Sequence, residues 1–320
     1  MFKGVKITLN TKFCKSTDHK KNIHFTSNNP GGVKFDFISS INNNYMPHLT
    51  SQNEKDLQLY YEDFGSGQPI ILIHGWPLSG KSWEAQIPVL LHLGYRVISY
   101  DRRGFGESSV TESGYDYDNL TKDLHEIISQ LELKNVILFG FSMGGGEVVR
   151  YLTNYGAENV DKVALISSII PLVKQKEDNP DGVSEKNLQD IMTQLKTNRV
   201  TFLETFHKNF YNVNLLNQSV SQKQLDYDWS IASQASPLAT IKAAESWAET
   251  DFRAELKNVT VKTLIVHGNE DQIVPIKTAG DQAAKDIANN IYKIISGGPH
   301  GLNVTHAEEL NEILIDFLSK

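Results

Sequence analysis

Gly140-Phe141-Ser142-Met143-Gly144 sets a serine between two glycines, after an apolar run, Val136 to Phe139, and before a helix-like segment, Glu147 to Leu152. That spacing predicts a strand, a sharp turn and a helix, with glycines where the turn leaves no room for a Cβ. Ser142 would stand exposed above the strand at a helix N-terminus, where free N–H groups favour developing negative charge. The chemistry this suits is nucleophilic attack, for which a serine hydroxyl needs a histidine to take its proton and an acid to orient that histidine. Both follow in chain order. Thr263 to Gly268 reads as a buried strand, and the loop leaving it, Asn269 to Pro275, carries Asp271, the candidate acid. Its neighbour Glu270 competes for the role; the shorter side chain beside Ile273-Val274-Pro275 fits the template better and favours Asp271. The next apolar run, Ile291 to Ile295, breaks at Gly297-Gly298-Pro299-His300-Gly301, a loop able to present His300 as the base from beyond a strand end. Of the ten histidines, His19, His24, His48, His92, His125, His207 and His306 read as surface or satisfied core residues.

Acyl transfer also needs donors for the oxyanion. One amide should belong to the residue after the nucleophile, Met143, and the other to a loop following an early strand. Ile70 to Ile73 is such a strand, apolar throughout, and it ends in His74-Gly75-Trp76-Pro77. Trp76 is the second donor, because Gly75 lets the backbone approach and Pro77 has no N–H. His74 precedes the serine and reads as a loop-shaping residue rather than a base.

These residues need a frame. Leu57 to Tyr61, Ile70 to Ile73, Arg96 to Tyr100, Val136 to Phe139, Val163 to Ile169, Thr263 to Val266 and Ile291 to Ile295 read as strands, and segments such as Leu120 to Leu131 carry helical periodicity. The alternation predicts an α/β fold with a mostly parallel central sheet, helices on both faces, and ligands bound at the carboxyl ends of the strands. Residues 171–244 show no strand pattern and are expected to be a helical cap inserted into a core made of residues 46–170 and 245–320. Phe202, Phe206, Phe210, Tyr211 and Trp229 of that cap could line an acyl pocket. The spacing of the three phenylalanines equally describes one buried helix face.

His74-Gly75-Trp76-Pro77, Asp101 to Ser108, Gly140 to Val148, Asp271 to Pro275 and Gly298-Pro299-His300-Gly301 together resemble the cofactor-free haloperoxidase, perhydrolase and arylesterase group of the α/β-hydrolase superfamily, from about residue 53 to the C-terminus. The resemblance implies a Ser142, Asp271 and His300 triad and an oxyanion hole of the Trp76 and Met143 amides. It implies no cofactor and no metal, and small esters or carboxylic acids, with hydrogen peroxide, as partners. Pro77 takes a role from it too, since in this group a proline after the oxyanion tryptophan accompanies perhydrolysis. A lactonase or a carbon–carbon bond hydrolase would use the same triad, and a slow-turnover ligand sensor could retain it. Dehalogenase and epoxide hydrolase relatives use an aspartate nucleophile, whereas position 142 is serine.

Composition narrows the classes further. A net charge of −7 and the lack of a basic stripe argue against a nucleic-acid partner. No apolar run approaches the roughly 18 residues of a spanning helix, which argues against a membrane protein. Cys14 is the single cysteine, so no intrachain disulfide forms and a cytoplasmic location is expected; a homo-oligomer is compatible with the sequence. Residues 1–50 hold seven lysines against Asp18 and Asp36. Residues 1–45 are expected to be an extension outside the fold, or the product of an upstream start codon with Met46 as the initiator.

Overall fold

The computed structural model describes residues 47–320. The expectations for residues 1–45 and for Met46 lie outside them. Eight strands form one sheet: β1 (His48–Thr50), β2 (Gln58–Gly65), β3 (Pro69–Ile73), β4 (Arg96–Tyr100), β5 (Val136–Phe141), β6 (Val160–Ile166), β7 (Lys262–Gly268) and β8 (Asn290–Ile295). Their order is β1-β2-β4-β3-β5-β6-β7-β8. β1 and β2 pair antiparallel at one edge, and every pairing from β4 to β8 is parallel. β3 and β5 lie at the centre, buried along their whole lengths, as continuous apolar runs require of parallel strands covered on both faces.

The helices are α1 (Ile87–His92), α2 (Tyr117–Gln130), α3 (Met143–Tyr155), α4 (Glu185–Thr197), α5 (Arg199–Phe210), α6 (Gln222–Gln234), α7 (Pro237–Glu249), α8 (Gly280–Asp286), α9 (Leu302–Thr305) and α10 (Ala307–Leu318), and a short 3-10 turn spans Gly80–Trp83. α2 shows why such segments are helices. Asp116 caps it by accepting from Asn119 N at 3.0 Å, and Leu120, Leu124, Ile127 and Ile128 form one buried stripe. α4 to α7 all fall between β6 and β7; Ser236 caps α7 and Pro237 starts it, and it runs to Glu249, past the expected boundary at residue 244, with Trp247 and Ala248 buried near its end.

Register positions the loops. Ile73 at the end of β3 pairs with Gly140 near the end of β5, so His74 to Trp76 emerge beside Ser142. Gly268 at the end of β7 pairs with Ile295 at the end of β8, which brings the loops carrying Asp271 and His300 side by side. Among the described residues, no helix is long and apolar enough to cross a membrane.

Candidate active site

Ser142 occupies the turn between β5 and α3 with φ 53° and ψ −118°, a left-handed conformation rare for a residue with a side chain. The turn is crowded: a Cβ on Gly140 would come within 2.6 Å of Gly144 O, and one on Gly144 within 2.4 Å of Ile73 O. Only glycine fits at either position, so the flanking glycines follow from the backbone path.

Ser142 Oγ lies 2.9 Å from His300 Nε2, and His300 Nδ1 lies 2.7 Å from Asp271 Oδ2. An ionised carboxylate only accepts, so Nδ1 carries the proton and Nε2 is free to accept from the serine hydroxyl. Asp271 holds its place through three donors, with a second histidine close by. Ile273 N and Val274 N donate to Oδ1 at 2.9 and 2.8 Å and His300 Nδ1 to Oδ2, while His267 Nε2, whose own hydrogen bond goes to Val274 O at 2.9 Å, lies 3.2 Å from Oδ2. Burial pushes the Asp271 carboxyl up, but the His300 charge and hydrogen bond, with His267 close by, outweigh it and hold the group well below the usual carboxylate range. Glu270 points its side chain to solvent.

Neither the Trp76 amide nor the Met143 amide donates to another described residue. A Cβ on Gly75 would lie 3.1 Å from Ser142 Cβ, so the Trp76 loop runs directly past the serine. The two amides unpaired among the described residues thus belong to the residue after Ser142 and to the loop that passes it. His74 fixes one of them. It is buried, and burial and the Arg102 charge hold its pKa well below the ordinary value, which keeps the ring neutral. Its Nε2 accepts from Arg102 N at 3.0 Å while Nδ1 donates to Gly75 O at 2.8 Å. That carbonyl belongs to the same peptide plane as the Trp76 N–H.

Arg102 is anchored in turn by Glu147 of α3, which also accepts from Tyr100 Oη at 2.7 Å; all three side chains are buried. Glu147→Gln leaves Arg102 charged and uncompensated. It is expected to cost about 3–5 kcal/mol of stability, read as a lower urea midpoint at unchanged slope.

The site is roofed. Ser142 is only 5% exposed rather than open above the sheet, because α5 closes over it. The Phe210 ring centroid lies 4.9 Å from His300, and Phe206 packs edge-on against Trp76 at 5.2 Å. Trp76 Nε1 donates to Thr240 O of α7 at 2.9 Å, and Asn212 Nδ2 to Glu270 O at 2.8 Å. Phe206 and Phe210 form a buried helix face, which packs on Trp76 and His300. Trp229 instead bonds Val200 O, and Tyr211 bonds Asp228 within the helical insertion. No motif singles out His267 or the Arg102–Glu147 support. The one signal for His267 is its place in the strand that leads to Asp271.

The family model for the α/β hydrolase fold matches residues 68–307, and the chain belongs to that family. A bromoperoxidase from Bacillus anthracis, of known crystal structure, is 45% identical with a TM-score of 0.81, over 84% of this chain and 98% of its own. A non-haem haloperoxidase of Rhodococcus erythropolis is 36% identical over 85% of this chain and 99% of its own. A bifunctional esterase/perhydrolase of Acinetobacter calcoaceticus is 34% identical over the same shares, 85% and 99%. Within the family the chain falls in this haloperoxidase and perhydrolase group, and it is an enzyme.

Proposed function

We propose that the enzyme carries acyl groups on Ser142, taking them from small carboxylic esters and passing them to water or to hydrogen peroxide. The observation that carries this reading is the Ser142–His300–Asp271 chain of hydrogen bonds at 2.9 and 2.7 Å, set on a serine with positive φ.

His300 Nε2 takes the hydroxyl proton as Ser142 Oγ bonds to the ester carbon, and the carbonyl electron pair moves onto oxygen, where the Trp76 and Met143 amides hold it. Collapse of this intermediate expels the alcohol, which leaves with the proton from His300. Water or peroxide then gives a proton to His300 and attacks the acyl-enzyme. The second collapse returns the electron pair and that proton to Ser142 Oγ and releases an acid or a peracid. A peracid retains the oxidising power of the peroxide and can oxidise halide away from the protein. The names of the haloperoxidase and esterase/perhydrolase relatives support both branches. A sequence with one cysteine supports placing the reaction in the cytoplasm.

The test is turnover of a short aryl acetate with and without hydrogen peroxide, with ester cleavage and peracid read separately. Multiple turnovers with peracid formed only when peroxide is present are expected, and no turnover of any short ester would reject the proposal. Pro77 is buried directly after Trp76 and fixes φ in the oxyanion loop. Pro77→Leu is expected to lower the ratio of peracid to acid by about fivefold, which corresponds to about 1 kcal/mol between the two deacylation transition states. An unchanged ratio removes Pro77 from the choice of nucleophile.

A further inference from the structure

Ten buried side-chain nitrogen or oxygen atoms have no hydrogen-bond partner among the described residues, and five of them lie on two facing segments beside the His300 loop. Ser82 Oγ, Trp83 Nε1 and Gln86 Oε1 come from the 3-10 turn and the residues leading into α1; Asn303 Oδ1 comes from α9 and Asn311 Oδ1 from α10. The segments are stitched together through the other ends of the same side chains. Gln86 Nε2 donates to Asn303 O at 2.9 Å, Asn303 Nδ2 to Ser82 O at 2.8 Å and Asn311 Nδ2 to Ala85 O at 3.0 Å.

Those bonds fix the orientation of the amides. Turning Gln86 or Asn303 over would set an amide oxygen against a carbonyl oxygen, so the free atoms are the oxygens. Trp83 and Gln86 are fully buried, and Asn303 and Ser82 are nearly so. An unsatisfied group costs about 1–3 kcal/mol, and native folds rarely collect several in one place. Four of the five atoms, those of the buried residues Ser82, Trp83, Gln86 and Asn303, are also complementary in kind. Two accept, Gln86 Oε1 and Asn303 Oδ1, and two can donate, the Trp83 indole N–H and the Ser82 hydroxyl.

We propose that these four side chains enclose a binding site for one small neutral hydroxylic molecule, water or hydrogen peroxide, behind the His300 loop. Such a molecule donates to the two amide oxygens and accepts from the indole and the hydroxyl. None of the four side chains carries a charge, so the site suits neither an anion nor a metal ion. Asn303 follows His300 by three residues, and the Trp83 ring lies 6.1 Å from Phe141, which lies 5.4 Å from His300. Occupancy therefore ties the base loop to the segment that follows the oxyanion loop. This site stands independently of the acyl-transfer reading.

A high-resolution crystal structure of the wild-type enzyme, with a second crystal soaked in hydrogen peroxide, tests it. The expected result is an ordered peak within hydrogen-bond distance of Gln86 Oε1 and Asn303 Oδ1. A round peak in both crystals assigns water, and a peak that elongates in the soak assigns peroxide. No peak, with the four atoms paired to protein instead, overturns the proposal. In solution, oxygen-17 relaxation dispersion should show one fewer long-lived internal water in the S82A/W83F double variant than in wild type. An unchanged count also overturns it.

Discussion

Ser142→Ala is expected to lower kcat for aryl acetate cleavage by about 10⁶-fold, leaving only the rate that binding and the oxyanion amides supply without a nucleophile. The size of the loss follows from the geometry. Ser142 is the one hydroxyl that His300 Nε2 bonds, at 2.9 Å, among the described residues, so removing it leaves the base without a proton to move. Peracid formation should fall in parallel, because water and peroxide divide only after the acyl-enzyme has formed. Two readouts check this: peracid yield in the presence of peroxide, and intact mass of the enzyme after rapid quenching with a slow ester. Wild type should gain the mass of one acyl group, and the variant should gain none. Peracid production that survives in the variant would mean that peroxide reacts by a route without the serine, and the shared intermediate would have to be abandoned. Stability should barely change, since alanine keeps the Cβ and removes one oxygen; a shared unfolding midpoint would separate lost chemistry from lost fold.

Chain order and local spacing make much of this site legible in the sequence. Strand ends and glycine loops mark where a parallel sheet presents its functional groups, and Ser142, Asp271 and His300 lie at three such ends. The features that spacing leaves hidden depend on contacts between distant segments. β2 runs on to Gly65, beyond the apolar stretch that marks it, because Glu62 and Asp63 lie near the sheet edge where charge is tolerated. β6 begins at Val160, before the expected start at Val163, and stops at Ile166, three residues before the expected end at Ile169, because Ser167 turns away with φ 43°. β1 is only three residues long and carries no alternation long enough to read. Periodicity finds the phenylalanine face of α5 but does not say what it packs on, which is His300 and Trp76. The Arg102–Glu147 support joins positions 45 apart in sequence, and no spacing rule relates them.

Asp271→Asn is expected to cost about 10⁴-fold in kcat, with little change in KM. The surroundings of Asp271 present donors to both oxygens, namely two backbone amides on Oδ1 and the His300 Nδ1–H on Oδ2, with His267 Nε2 3.2 Å away. An asparagine keeps its oxygen toward Ile273 N and Val274 N, and its NH₂ then meets the His300 Nδ1–H. The clash is relieved when His300 shifts its proton to Nε2, and a ring protonated there cannot accept from Ser142. The charge matters as well as the orientation, because the carboxylate stabilises the imidazolium that forms as Ser142 attacks. Glu270→Gln is the matching control. Its side chain is exposed, so activity should stay within about twofold of wild type, as for most surface substitutions. A dead Glu270→Gln beside an active Asp271→Asn would reverse the assignment of the acid. The pH dependence of stability supplies a second readout. The Asp271 pKa is lowered on folding, so its contribution to stability is complete above the ordinary carboxylate value of about 3.9 and is lost as pH falls through the still lower folded value. Asp271→Asn should therefore flatten the acid limb of the unfolding curve.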